Sequence, residues 1–203
     1  MVYDLSRAIT RAVLRWWFGF RVDGREHEPA SGPLVVVSNH RSDLDPLVVG
    51  SALRRRVTFM AKQELFRVPV LRWWISACGA FPVRRGEADR QALRTALKIL
   101  ADEGVLVMFP EGTRALGREL RPPEPGAALL ALRAGAAVLP VAITGTDEVL
   151  PRGAHRLRRS TIRVRIGEPI PVPGVDGNGA KAGREEINLL GRRYMAAIAA
   201  LLT

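Results

Sequence analysis

Short apolar runs closed by polar or glycine-rich turns alternate along this chain with segments whose apolar residues recur at three and four. The runs at 34–37, 57–61, 105–109 and 136–143 predict buried strands, with a shorter strand at 81–83. Residues 161–166 alternate, Ile162, Val164 and Ile166 facing in and Arg163 and Arg165 facing out, which marks a strand with one wet face. Helices are predicted at 46–53, at 89–100 (Leu93, Ala96, Leu97 and Leu100, stopped by Gly104), and at 126–134, closed by Gly135. A last helix from 184 carries Ile187, Leu190, Tyr194, Ile198 and Leu201 on one face. Between them lie a connector at 21–33, a turn or short helix at 62–66, a Trp-bearing apolar segment at 68–80, a charged loop at 117–125 and a glycine-rich linker at 172–183. Strands alternating with helices define an α/β fold: a single domain with a mixed, largely parallel sheet flanked by helices.

The first twenty residues follow a different rule. Asp4, Arg7, Arg11 and Arg15 fall about one helical turn apart in an otherwise apolar segment, so they form a charged stripe on an amphipathic helix. The stripe interrupts every stretch long enough to span a bilayer, and the arginines run through the apolar region instead of preceding it, unlike a signal peptide. Two readings stand: a helix lying on a membrane surface, or one packed on the domain. We take residues 1–20 as an amphipathic membrane-contact helix and 21–203 as the domain proper.

Charge narrows the partners. A formal net charge of +11 favours polyanions, nucleic acid or anionic lipid. With 6% aromatic residues there is little material for base-stacking platforms. The tryptophans instead pair beside arginines, Trp16 with Trp17 and Trp73 with Trp74, as suits a membrane interface. Cys78, the single cysteine, excludes an internal disulfide and fits a reducing compartment and a small core residue. We therefore expect a peripheral protein on the cytoplasmic face of the cell membrane, with no nucleic-acid partner. His27, His40 and His155 lack ligand spacing, so no metal is expected.

The chemistry gathers at two strand ends. After the run at 34–37 comes Asn39-His40-Arg41-Ser42-Asp43-Leu44-Asp45, and after 105–108 comes Phe109-Pro110-Glu111-Gly112-Thr113-Arg114. A histidine held by an aspartate at the mouth of a cleft is a general base. There is no Gly-x-Ser-x-Gly elbow, and Ser42 reads as a turn or cap hydroxyl.

Four blocks in order, Asn39 to Asp45, Gly79 to Arg85, Phe109 to Arg114 and Val138 to Val141, resemble the motifs of the phospholipid/glycerol acyltransferase family, whose best-known members are the 1-acylglycerol-3-phosphate acyltransferases. Residues 61–66 add support, so the likeness spans about Val35 to Gly145. The resemblance implies a glycerol-3-phosphate acyltransferase-like fold. It also implies transfer of a fatty acyl group from acyl-CoA or acyl-carrier protein, as co-substrate with no cofactor, to the free hydroxyl of lysophosphatidic acid. His40 would be the base oriented by Asp45. Arg85, Glu111, Gly112, Thr113 and Arg114 would bind the acceptor, with Arg84 the alternative to Arg85 and Glu111 orienting an arginine or bonding a glycerol hydroxyl. Another lysophospholipid or a glycolipid remains an alternative acceptor; so, from a different class, does a non-catalytic basic module binding membrane or polyanion.

Overall fold

The computed structural model describes residues 2–84, 89–114, 119–154, 156–173 and 183–203. In chain order, α1 (Val2–Phe18), β1 (Arg21–Asp23), β2 (Leu34–Ser38), α2 (Asp45–Ala52) and β3 (Val57–Lys62) lead into α3 (Pro69–Ala77) and β4 (Ala80–Val83). Then follow α4 (Arg90–Ala101), β5 (Val105–Met108), α5 (Gly126–Ala134), β6 (Ala137–Thr144), α6 (Thr146–Val149), β7 (Arg163–Ile166) and α7 (Arg184–Leu202). The 62–66 turn is a 3-10 helix, Gln63–Arg67.

One seven-stranded sheet runs in the order β1-β7-β6-β2-β5-β3-β4, with every neighbouring pair parallel except β6 and β7. β2 lies between β6 and β5, its residues all buried, as a strand covered on both faces requires. Its alternation divides the core: Leu34 and Val36 pack with α1 and α2, Val35 and Val37 with α4, α5 and α7. Each such side chain contributes roughly 1.5–3 kcal/mol by leaving water. The two strands that were read as closed by polar loops are therefore immediate neighbours, Val37 opposite Met108.

Two features go beyond the sequence pattern. A short helix, α6, follows β6 at once, because Gly145 takes φ +86° and lies so close to the carbonyl of Thr161 that a Cβ would sit 2.0 Å from its oxygen. And α1 is mounted with Arg7 and Arg11 of its charged stripe turned toward the end of α2, Arg15 remaining exposed. Arg11 donates to the carbonyls of Ser51 (2.9 and 2.6 Å) and Leu53 (3.5 Å), Arg7 donates to that of Arg54 (2.8 Å), and Asp4 pairs with Arg56. Arg11 thus satisfies the Ser51 carbonyl in the last turn of α2, where a cation also meets the negative end of the helix dipole, and Arg7 holds the chain just beyond it. Leu14 and Phe18 anchor the helix end in the core, while Val2, Leu5, Ile9, Val13, Trp16 and Trp17 face outward.

Candidate active site

Parallel pairing places the carboxyl ends of β6, β2, β5, β3 and β4 on one rim of the sheet, where open α/β sheets bind ligands. His40 emerges two residues beyond β2, and Asp45 opens α2. His40 Nδ1 lies 2.8 Å from Asp45 Oδ2. The same Oδ2 accepts from the backbone N–H groups of Arg41 (2.7 Å) and Ser42 (2.8 Å), and Oδ1 accepts from the Thr146 hydroxyl at 2.6 Å. A carboxylate with donors on both oxygens and no exposed surface is acceptor-only, so the imidazole donates from Nδ1 and keeps the Nε2 lone pair for a substrate proton. The ring stacks on Phe109, centroids 4.2 Å apart and planes 23° from parallel. Imidazole orientation is thus fixed from the edge and from the face.

The loop around the base is tied to β6, to the end of α6 and to the loop after β5. Asn39 pairs through its amide with both backbone groups of Ile143 on β6, at 2.9 and 2.8 Å, extending the ladder by a side chain where β2 ends. The Ser42 hydroxyl donates to the carbonyl of Leu150 (3.0 Å) and accepts from the Leu44 N–H (3.4 Å), a turn contact, since the N-cap of α2 is Leu44 and makes no side-chain cap bond. Glu111, after β5, is buried; one oxygen accepts from the His40 N–H at 3.0 Å and the other from the Arg121 N–H at 3.1 Å. Its carboxylate spans two loops by backbone contacts, which leaves lone pairs on both oxygens. Thr146 and the amide role of Asn39 were not assigned from sequence. Thr146 stands 101 residues from Asp45, and its one signal is a hydroxyl directly after the glycine that ends a buried strand.

A cavity of about 500 Å³ opens beside Phe109, within the roughly 300–1,000 Å³ range of ligand sites. Met60, Val83, Leu93, Met108, Pro125 and Leu130 supply apolar wall; Arg84, Arg121, Glu111, Gly112, Thr113 and Glu124 supply polar groups. Gly112 and Thr113 thus reach the cavity as expected, Gly112 with φ +69°. Arg84 belongs to the same wall and pairs with Asp89. Asp89 caps α4, and backbone donors, Ala92 first and then Arg84, hold its carboxyl below the usual range. Arg85 lies outside the described residues. Arg114 reaches across to the β2 loop, its Nη1 2.5 Å from Asp43 Oδ2. Among the described residues no cluster of histidine, cysteine or carboxylate side chains could hold a metal ion.

Residues 19–144 match the profile of the family described as Acyltransferase. The chain belongs to that acyltransferase family. It is 32% identical over 158 residues to a chloroplastic 1-acyl-sn-glycerol-3-phosphate acyltransferase of Arabidopsis thaliana, covering 76% of this chain and 44% of that one. It is 30% identical over 194 residues to the lyso-ornithine lipid O-acyltransferase of Pseudomonas aeruginosa, covering 83% and 73%. The crystal structure of the 1-acyl-sn-glycerophosphate acyltransferase PlsC of Thermotoga maritima superposes with a TM-score of 0.82 at 25% identity, over 98% of this chain and 78% of that one. The chain spans about half the length of several curated relatives it matches. The family match takes in β2, β5 and β6 with His40, Asp45 and Glu111; it stops at Thr144, short of Thr146, and begins after α1.

Proposed function

We propose that this protein transfers a fatty acyl group from an acyl thioester, acyl-CoA or acyl-carrier protein, to the free hydroxyl of lysophosphatidic acid, giving phosphatidic acid. The observation that carries this reading is the buried His40–Asp45 pair, joined through Nδ1. As the acceptor oxygen attacks the thioester carbonyl, its proton passes to Nε2. Collapse of the tetrahedral intermediate expels the thiolate, which takes that proton back as the free thiol. General base catalysis of this kind is worth roughly 10²–10⁴ in rate. Arg114, with Arg85 or Arg84, supplies planar donors for the acceptor's phosphate, and the apolar wall of the cavity suits an acyl chain. The lyso-ornithine relative, matched over a larger share of its length than the plant enzyme, favours a second reading in which the acceptor is another lysolipid.

The same reading seats the protein peripherally at the cytoplasmic face of a membrane, through the outward apolar face of α1, where Trp16 is 89% exposed, and through Val70 and Trp73 of α3, also exposed. Exposed arginines add positive charge: the segment before β7 meets the end of α1, the Ile162 N–H bonded to the Phe18 carbonyl, and Arg156, Arg158 and Arg159 earlier in that segment are exposed with Leu157.

The deciding experiment incubates purified protein with liposomes, labelled palmitoyl-CoA and lysophosphatidic acid, beside His40→Ala. The substitution should abolish transfer with the circular dichroism spectrum and liposome binding unchanged; equal turnover by both proteins rejects the mechanism. Lyso-ornithine lipid run in parallel decides the acceptor.

A further inference from the structure

The guanidinium of Arg114, next in sequence to the cavity residue Thr113, is engaged by a carboxylate from the neighbouring loop. Asp43 sits in the turn between His40 and Asp45, on the rim of β2, whereas Arg114 lies in the loop after β5, so the contact bridges the two loops that frame the site. The cation is the sheltered partner, its side chain 28% exposed, and the acid the outer one, at 70%. Asp43 also differs from the site's other carboxylates in what surrounds it. Asp45 and Glu111 are buried and accept from backbone donors, which fixes them; Asp43 is exposed and able to swing away.

We infer that Asp43 is an acceptor-specificity residue: its carboxylate is the counterion that a phosphate headgroup has to displace from Arg114, and it thereby weakens the binding of acceptors whose headgroup is a bare, dianionic phosphate. This rests on the proposed role of Arg114 toward the acceptor. The physical argument is one of exchange. A phosphate can satisfy the guanidinium fork on two oxygens, more strongly than the single carboxylate contact it replaces. It nevertheless forfeits the existing pair and then lies close to the displaced carboxylate, two costs of the same sign. For a pair this exposed the first cost changes an equilibrium by up to about fivefold, and residual repulsion adds to it. A headgroup without a dianion meets neither cost, so Asp43 narrows the advantage of phosphate acceptors over neutral or amine-bearing ones.

The test is steady-state kinetics on the full chain, in vesicles of fixed composition, for wild type, Asp43→Asn, Arg114→Ala and the double variant, with circular dichroism to confirm folding. Asp43→Asn should lower the KM for lysophosphatidic acid about three- to fivefold, with kcat and the KM for palmitoyl-CoA unchanged. The donor is itself anionic, so an equal change in its KM would reveal a general charge effect and overturn the inference. Arg114→Ala should raise the acceptor KM, and in that background removing Asp43 should have no further effect. If Arg114→Ala raises the acceptor KM while Asp43→Asn leaves it unchanged, the specificity role falls and the acyltransferase reading survives. No turnover of lysophosphatidic acid by the wild type would instead sink the proposed acceptor.

Discussion

At the scale of single residues, the site is organised around one carboxylate. Asp45 receives donors from a side chain on the same loop, two backbone amides and a hydroxyl from another strand end, so its position is over-determined. Thr146 acts through Asp45 and is a positioning residue. Thr146→Val keeps the shape and removes the donor; leaving a buried acceptor short of one bond costs about 1–3 kcal/mol. We expect kcat to fall roughly tenfold with the acceptor KM unchanged, and Thr146→Ser to recover most of the loss. A purely structural role would lower thermal stability in both variants without separating kcat from KM. Glu111→Gln tests the loop tie. The amide oxygen keeps one acceptor while the amine faces a backbone N–H, so melting temperature and kcat should both drop, with partial loss of the cavity wall near Arg121 read as weaker acceptor binding.

At the scale of elements, α1 and α2 form the unit that links surface to chemistry. α2 begins with Asp45 at its amino end, and Arg11 of α1 holds the carbonyls at its carboxyl end. Replacing Arg11 by Ala strips charged donors from part-buried carbonyls, and about 1.5–3 kcal/mol of stability should go with them, measured by urea denaturation. An unchanged midpoint would mean that water replaces the guanidinium fully. Because Leu14 and Phe18 are core residues, removing α1 would open the core; outward substitutions are the cleaner probe. Ile9→Gln with Trp16→Gln should leave the melting temperature within about 1 °C or raise it, since both side chains are exposed, while liposome association falls. Full retention on liposomes would remove α1 from the membrane contact. Gly145→Ala addresses the other junction: a methyl group driven toward the Thr161 carbonyl, at a φ that alanine avoids, should destabilise the β6–β7 return by well over 1 kcal/mol.

At the scale of the whole molecule, what could be read from sequence follows from which forces are local. β2 and β5 announce themselves because strands buried on both faces must be apolar throughout, and the polar residues that follow them are conspicuous by contrast. His40 and Asp45 were legible for that reason and because five positions separate them. Thr146 was not, since its partner lies in another segment and a threonine beside a glycine is an ordinary turn. Periodicity also reported correctly that Arg7 and Arg11 share a face of α1, yet it is silent on which face turns inward. Arg7 and Arg11 turn inward beside the core residues Leu14 and Phe18 because the end of α2 and the residues after it present carbonyls that need donors. The surface that results, apolar along α1 and basic at Arg156, Arg158 and Arg159, predicts binding to anionic vesicles that weakens with salt but keeps a salt-resistant part. Binding that vanishes entirely at high salt would remove the apolar component.

The shared direction of β6, β2 and β5 has a practical corollary. The proposed chemistry lies along the carboxyl rim, while the opposite rim, where the Leu34 N–H bonds the Gly104 carbonyl, includes the exposed residues Ala30, Ser31, Asp102 and Glu103. A fluorescent label on a cysteine introduced at Ser31 would therefore report on docking and tumbling at a bilayer while leaving turnover intact.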